Sequence, residues 1–266
     1  MNKLLSFVIL LTVVSCGIKQ PETAKNIGDA ALISDAKAVE LADRMMDAMG
    51  GVKTWNETRY LRFDFAVEVD NKEISRHSHL WDKFTGRYRV QGKTRDGKAY
   101  NILYDDIHKK SGKAYVDGRL AESKDAVDKL QYGYNRFIND TYWLLMPWKL
   151  KDPGVTLHYE GLQKDSVSGY NYEVVHLAFE QVGLTPKDQY WAFIDPETSL
   201  MRKWKFLLQD GDEGSYDWNN WKNYGALKFS DQKSDPGGKR TIKTEKIILS
   251  DQMNDDVFTA HDVMLP

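Results

Sequence analysis

The feature that most constrains this chain is an alternation in residues 60–70. Leu61, Phe63, Phe65, Val67 and Val69 alternate there with Arg62, Asp64, Glu68 and Asp70. A helix would scatter these apolar groups around its circumference, whereas a strand places residues i, i+2 and i+4 on one face. The segment therefore reads as a strand with one buried face. Asn71-Lys72 marks a turn, and Ile74 to Asp82 returns as a partner.

The rest of the chain supplies the sheet that such a strand needs. Further strands are expected at 86–91, 99–105, 113–117, 155–160, 170–180, 189–195, 200–209, 216–229 and 241–249, with a tight turn at Asp195-Pro196-Glu197-Thr198. Eight Trp, fourteen Tyr and ten Phe give the aromatic content that pleated surfaces favour. Short strands with turn residues between them predict an antiparallel sheet or barrel.

Two helical segments interrupt the series. Val39, Leu41, Met45, Met46 and Met49 recur near helical spacing in 35–49, with Ser34 or Asp35 as cap and Gly50-Gly51 as stop. Between Glu122 and Leu150 a helix is expected through about Asn139, followed by a short second helix ending before Pro147. The run Tyr142-Trp143-Leu144-Leu145-Met146 cannot form one narrow stripe, because consecutive helical residues point about 100° apart. It needs cover on a second side.

The N-terminus points to export. Residues 1–15 hold one charge, Lys3, then an apolar run from Leu4 to Leu11, then Val13-Val14-Ser15 before Cys16. That pattern reads as a signal peptide, and the run is far shorter than the ~20 residues of a spanning helix. Cys16 is the single cysteine of 266 residues, placed where a lipoprotein signal requires one, so it is the expected lipid attachment site. More than one acyl chain gives stable anchoring. The organisation expected is a signal at 1–15, a polar tether at 16–34 and a single domain at 35–266. Gly17 in place of an aspartate points to the outer membrane, facing the periplasm. A net charge of −2 leaves no electrostatic footprint for nucleic acid.

Four stretches resemble the LolA/LolB superfamily of lipoprotein carriers and sorting proteins. A helix ending in glycine leads into the long strand Tyr60–Asp70. His79-Leu80-Trp81-Asp82-Lys83-Phe84 and Gly86-Arg87-Tyr88-Arg89-Val90 are similar to the family's tryptophan-bearing strand pair. Tyr190-Trp191-Ala192-Phe193-Ile194-Asp195-Pro196-Glu197-Thr198-Ser199-Leu200 resembles its Asp-Pro hairpin. Trp221-Lys222-Asn223-Tyr224-Gly225 and Met253-Asn254-Asp255-Asp256-Val257-Phe258 are similar to its closing segments. The resemblance implies a mainly β (α+β) fold, an antiparallel half-barrel sheet with an N-terminal helix and inserted helices covering the concave face. It also implies a hollow that holds an acyl chain, a lipid or another hydrophobic ligand. Leu61, Phe63, Phe65, Val67, Trp81, Trp143, Met146, Trp191 and Trp204 are the residues expected to line it. The chain departs from the family's soluble carrier in having an anchor, and it is longer around Glu122–Gly154.

Catalytic chemistry is sparse. There is no Gly-x-Ser-x-Gly elbow, phosphate loop or dinucleotide fingerprint, and no cofactor or catalytic residue is expected. His77 and His79 share a strand face and could reach a metal, with His158 and His176 joining if their strands lie near. No spaced carboxylate accompanies them, Arg76 and Lys83 lie nearby, and a solvated face explains them better. Asp105-Asp106 and Asp255-Asp256 read as turn or terminus residues. Trp218 and Trp221 read as packing at a sheet edge rather than a sugar platform. The leading reading is a non-catalytic, membrane-anchored binder of a hydrophobic ligand. An envelope protein-interaction or sensor module is the alternative, and a metal-dependent hydrolase ranks below both.

Overall fold

A computed structural model describes residues 33–179, 188–263 and 265. Cys16, the signal and most of the tether lie outside the described residues, as does the end of the strand expected at 170–180. The expected helix at 35–49 is α1 (Ala36–Ala48), followed by a short α2 (Val52–Glu57). Ser34 and Asp35 do not cap α1 through their side chains. They pair with a strand instead: Leu157 N–H donates to Ser34 Oγ, Tyr159 N–H to Asp35 Oδ2, and Asp35 N–H to the Leu157 carbonyl. The chain leading into α1 thus covers the edge of β7 (Val155–Lys164), where unpaired backbone groups would otherwise stand open.

Among the described residues, thirteen strands form one sheet, and every ladder in it is antiparallel. From β1 (Tyr60–Val69) the chain meanders outward through β2 (Lys72–Asp82), β3 (Tyr88–Lys93), β4 (Ala99–Asp106), β5 (Ser111–Val116) and β6 (Arg119–Leu120). It re-enters at the opposite edge with β7. It then returns through β8 (Asn171–Phe179), β9 (Gln189–Ile194), β10 (Met201–Leu207), β11 (Glu213–Tyr224), β12 (Leu227–Ser234) and β13 (Arg240–Ser250), which closes on β1. β6 and β7 are not paired, so the sheet is open. The strand expected over 216–229 is two strands, because Gly225 takes a left-handed turn (φ 61°) that a side chain resists.

The link between the two edges is α3 (Ser123–Leu145), which runs straight into a 3₁₀ turn, Met146–Lys149. The break expected near Asn139 does not occur, since no Gly or Pro stands there. Pro147 falls at the start of the 3₁₀ turn, where its missing N–H costs little. Twenty-three helical residues reach about 35 Å, whereas thirteen flat strands would span roughly 58 Å. α3 touches both β5, beside one edge, and β12, six places across the sheet, so the sheet curls around it, giving a half-barrel with α1 and α3 on the concave side.

The other face of β1 is not left to water. Arg62 and Asp64 are buried there as an ion pair at 2.6 Å, with Arg76 3.3 Å from the same carboxylate. Farther along, α4 (Asp256–Thr259) packs Val257 and Phe258 on Tyr60 and Leu80. Buried Arg89 donates to the carbonyls of Val257, Ala260 and Val263, fastening the C-terminal segment to the convex side.

Candidate functional site: the interior beneath α3

The concave face carries two apolar clusters. In the larger one, Leu61, Phe63, Phe65 and Val67 of β1 and Trp204 of β10 pack with Leu41 and Met45 of α1 and with the Tyr142–Met146 run. Trp143 meets Tyr216 edge-on at 4.8 Å, and Trp204 stacks on Tyr190 at 5.0 Å. The second cover demanded by that run is therefore the sheet on one side and α1 with the 3₁₀ turn on the other. The smaller cluster joins Tyr88, Val90, Tyr100, Ile102 and Tyr104 to Tyr134 and Phe137 of α3. Trp81 touches both clusters, its ring 5.2 Å from Phe137.

Trp191 does not belong to this interior. Strand alternation buries its neighbours Tyr190 and Ala192 and turns Trp191 to the opposite face. There it stacks on His176 at 5.0 Å and donates from Nε1 to Glu160. The eight other expected lining residues lie in or against the two clusters.

Between the clusters runs a polar seam. β2 presents His77, His79 and Trp81 to the concave side, paired across from Phe65, Phe63 and Leu61. His77 Nδ1 lies 2.8 Å from Asp140 Oδ2 on α3, and His79 Nε2 lies 3.0 Å from the same oxygen. His79 Nδ1 meets the Tyr88 hydroxyl at 2.5 Å, while Asn139 Nδ2 donates to Asp140 Oδ1 at 2.7 Å. Phe63 stacks on His79 at 4.6 Å and Phe65 on His77 at 6.4 Å, which fixes both ring planes. Burial works against ionisation of Asp140, yet the two imidazoles outweigh it and hold the carboxyl well below its usual range. Burial pushes His79 down, toward the neutral ring, and pushes the Tyr88 hydroxyl well up.

One residue lets the helix lie close on β4. Gly133 leaves space for the Tyr104 ring, whose hydroxyl donates to the Leu130 carbonyl, and an added Cβ would also lie 3.0 Å from Ile102 Cδ1. Another buried cation, after Arg62 and Arg89, lies beside the larger cluster. Lys233 donates to the Ser230 carbonyl and to Thr244 Oγ1, and faces the Trp218 ring at 4.8 Å. Burial lowers it to about 7.

The solvated face expected for His77 and His79 is thus a buried one. The carboxylate absent from their neighbourhood in sequence comes from α3, and the sequence reading missed it. A signal existed: Asn139-Asp140 interrupts an otherwise apolar stretch from Phe137 to Met146. His158 and His176 face each other across β7 and β8, strands far from β2 in the sheet, so they cannot join. Trp218 is fully buried and Trp221 donates to the Met201 carbonyl, both as packing groups, but on β11, which is paired on both sides by β10 and β12 and is not the sheet edge expected for them. Asp106 contacts Lys109 at a turn, and Asp255 pairs with Arg87.

No family model matches this chain, and no curated protein matches it. Among solved structures, the chain is similar to a DUF1329 family protein from Desulfovibrio piger, with 9% identity and a TM-score of 0.47 over 85% of this chain and 98% of that one. It is also similar to a LolA superfamily protein from Nitrosomonas europaea, with 11% identity and a TM-score of 0.47 over 83% of this chain and 96% of that one. At these scores the likenesses are descriptive and carry no argument about activity. The open antiparallel sheet with helices on its concave face is the architecture that the sequence motifs implied.

Proposed function

We propose that this protein is a non-catalytic lipoprotein of the outer membrane, anchored through Cys16, that holds an acyl chain or other hydrophobic ligand between the concave sheet and α3. The observation carrying this reading is the Tyr142–Met146 run. It is buried at 5%, 5%, 1%, 2% and 1% exposure on a segment joined to opposite edges of an open sheet. In this closed arrangement side chains fill the interior, so ligand entry requires α3 and the 3₁₀ turn to lift. The energies permit the exchange. Five such side chains at roughly 2 kcal/mol each represent about 10 kcal/mol of burial, and an acyl chain of about fourteen methylenes returns roughly 11 kcal/mol in their place. A ligand that prefers the lifted state shifts the population by its differential affinity alone.

Hydrogen exchange over residues 122–150, with and without a long-chain fatty acid, tests the reading. Faster exchange of the apo segment than of the β1 and β13 strands beside it, slowed by ligand, supports a moving cover. Exchange as slow as the central strands in both states makes the segment ordinary core and removes the proposal. The docking alternative has one observation in its favour: Leu162, Val167 and Tyr170 stand exposed about the β7–β8 hairpin. It would show as protection of that hairpin by envelope extract, with 122–150 unchanged.

A further inference from the structure

We propose that His77, His79 and Asp140 form a binding site for a divalent transition-metal ion of the zinc class, bridging the sheet to α3. Three donors from two elements converge: one ring nitrogen from each histidine and one carboxylate oxygen, all within 4.8 Å of one another and all buried. This inference does not rest on the hydrophobic-ligand reading.

The donor chemistry selects the ion. Two imidazoles and one carboxylate suit zinc, cobalt and their neighbours, whereas magnesium and calcium take oxygen ligands almost alone. Zinc bonds of about 2.0–2.2 Å at tetrahedral angles separate ligand atoms by about 3.4 Å. The two His–Asp separations of 2.8 and 3.0 Å need an opening of roughly half an ångström, and the two ring nitrogens, within 4.8 Å of each other, settle to the same spacing by rotation of the rings.

Two buried atoms at the seam have spare capacity. His79 Nε2 has Asp140 Oδ2, 3.0 Å away, as its polar neighbour, and Asn139 Oδ1 is buried without a hydrogen-bond partner. Orphaned buried polar atoms ask for a missing ligand. The surroundings also match a supported metal site, in which outer groups orient the ligands. The Tyr88 hydroxyl holds His79 Nδ1, so Nε2 is the nitrogen left for the ion. Asn139 Nδ2 holds Asp140 Oδ1, with Arg136 3.9 Å from the same oxygen, so Oδ2 is the oxygen turned to the two rings, and an ion there would replace its hydrogen bond with His77 Nδ1. Three protein ligands leave a fourth position open to water or to another donor. An ion here would tie α3 to β2 in the C-terminal part of the helix.

The test uses the full-length anchored chain in detergent, stripped with a chelator and then dialysed against Co²⁺ and Zn²⁺ in turn. One equivalent of metal per chain is expected. Co²⁺ should give the visible bands of a low-symmetry nitrogen and oxygen site, and Zn²⁺ should abolish them. Tyr88→Phe should weaken binding by about 10–100-fold, and His79→Gln and Asp140→Asn should remove it. The proposal is overturned if folded wild-type protein retains no more metal than a buffer control. It is equally overturned if folded His79→Gln and Asp140→Asn chains bind as wild type does, which would place the ion elsewhere, such as at the His158–His176 pair. Should those two variants fail to fold, the wild-type cobalt spectrum and Tyr88→Phe decide: absent bands, or unchanged affinity in Tyr88→Phe, reject the site.

Discussion

Replacing Phe63 with alanine measures how tightly the interior is packed. The side chain is fully buried, lies opposite His79 across β1 and β2, and stacks on that ring at 4.6 Å. Removing a buried phenylalanine costs about 3–5 kcal/mol through lost transfer energy and the cavity left behind. The lost stacking adds roughly 0.5–1.5 kcal/mol beyond area, so the upper part of that range is expected, about 4–5 kcal/mol. Urea unfolding followed by far-UV circular dichroism should show a lower midpoint at an unchanged slope. The melting temperature should fall by about 10 °C or more, at about 2–4 °C per kcal/mol for a domain of this size. Val69, half-buried at the end of the same strand, is the internal control, and Val69→Ala should cost less than about 1.5 kcal/mol. A loss below about 1 kcal/mol for Phe63→Ala would refute the packed interior. That outcome would mean the Phe63 wall faces space a ligand occupies, or solvent.

Other perturbations separate the remaining parts of the account. Lys233 has its folded value lowered to about 7 from an ordinary 10.5, chiefly by burial, with Asp231 acting in the opposite direction. Between those values the unfolded chain binds the extra proton, so stability rises with pH by up to about 1.4 kcal/mol per unit. Melts at pH 7, 8 and 9 should show wild type gaining on Lys233→Met; parallel profiles would refute the buried amine. Gly133→Ala should destabilise despite the ~1 kcal/mol of helix propensity it gains, because its Cβ meets Tyr104 and Ile102 and overpacking costs about 1–3 kcal/mol. A more stable variant would place α3 farther from β4. Cys16→Ser should leave an unprocessed or soluble chain in cell fractionation; normal processing and membrane partitioning would reject the anchor.

The sheet was legible because its signal is local. Alternation at Leu61–Val69 and the Asp195–Leu200 turn depend on neighbours in sequence, and the Asp195 N–H does donate to the Leu200 carbonyl across that turn. Trp191 was misplaced by motif rather than by pattern, since the alternation of β9 already set it opposite Tyr190 and Ala192. The split of 216–229 was marked by Gly225, whose left-handed turn is a property of that residue. The polar seam was not legible, because it is made by topology. Asp140 reaches His77 and His79 only because α3 must cross the curled sheet from β6 to β7. No spacing rule along the chain encodes that meeting. A solvated reading of the histidines followed from Arg76 and Lys83 nearby in sequence. Arg76 belongs to the other face, with Asp64 and Glu245, and Lys83 follows the end of β2 and lies over Trp55.

The most direct measurement is native mass spectrometry of the full-length chain purified from its own envelope in mild detergent. With Cys16 carrying the proposed lipid, a non-covalent adduct is expected above the mass of the modified polypeptide, one hydrophobic molecule per chain. It should dissociate on collisional activation and be depleted when Met146→Glu places a charge in the interior. A wild-type spectrum showing only the modified polypeptide, or an adduct that Met146→Glu leaves unchanged, would contradict ligand binding beneath α3.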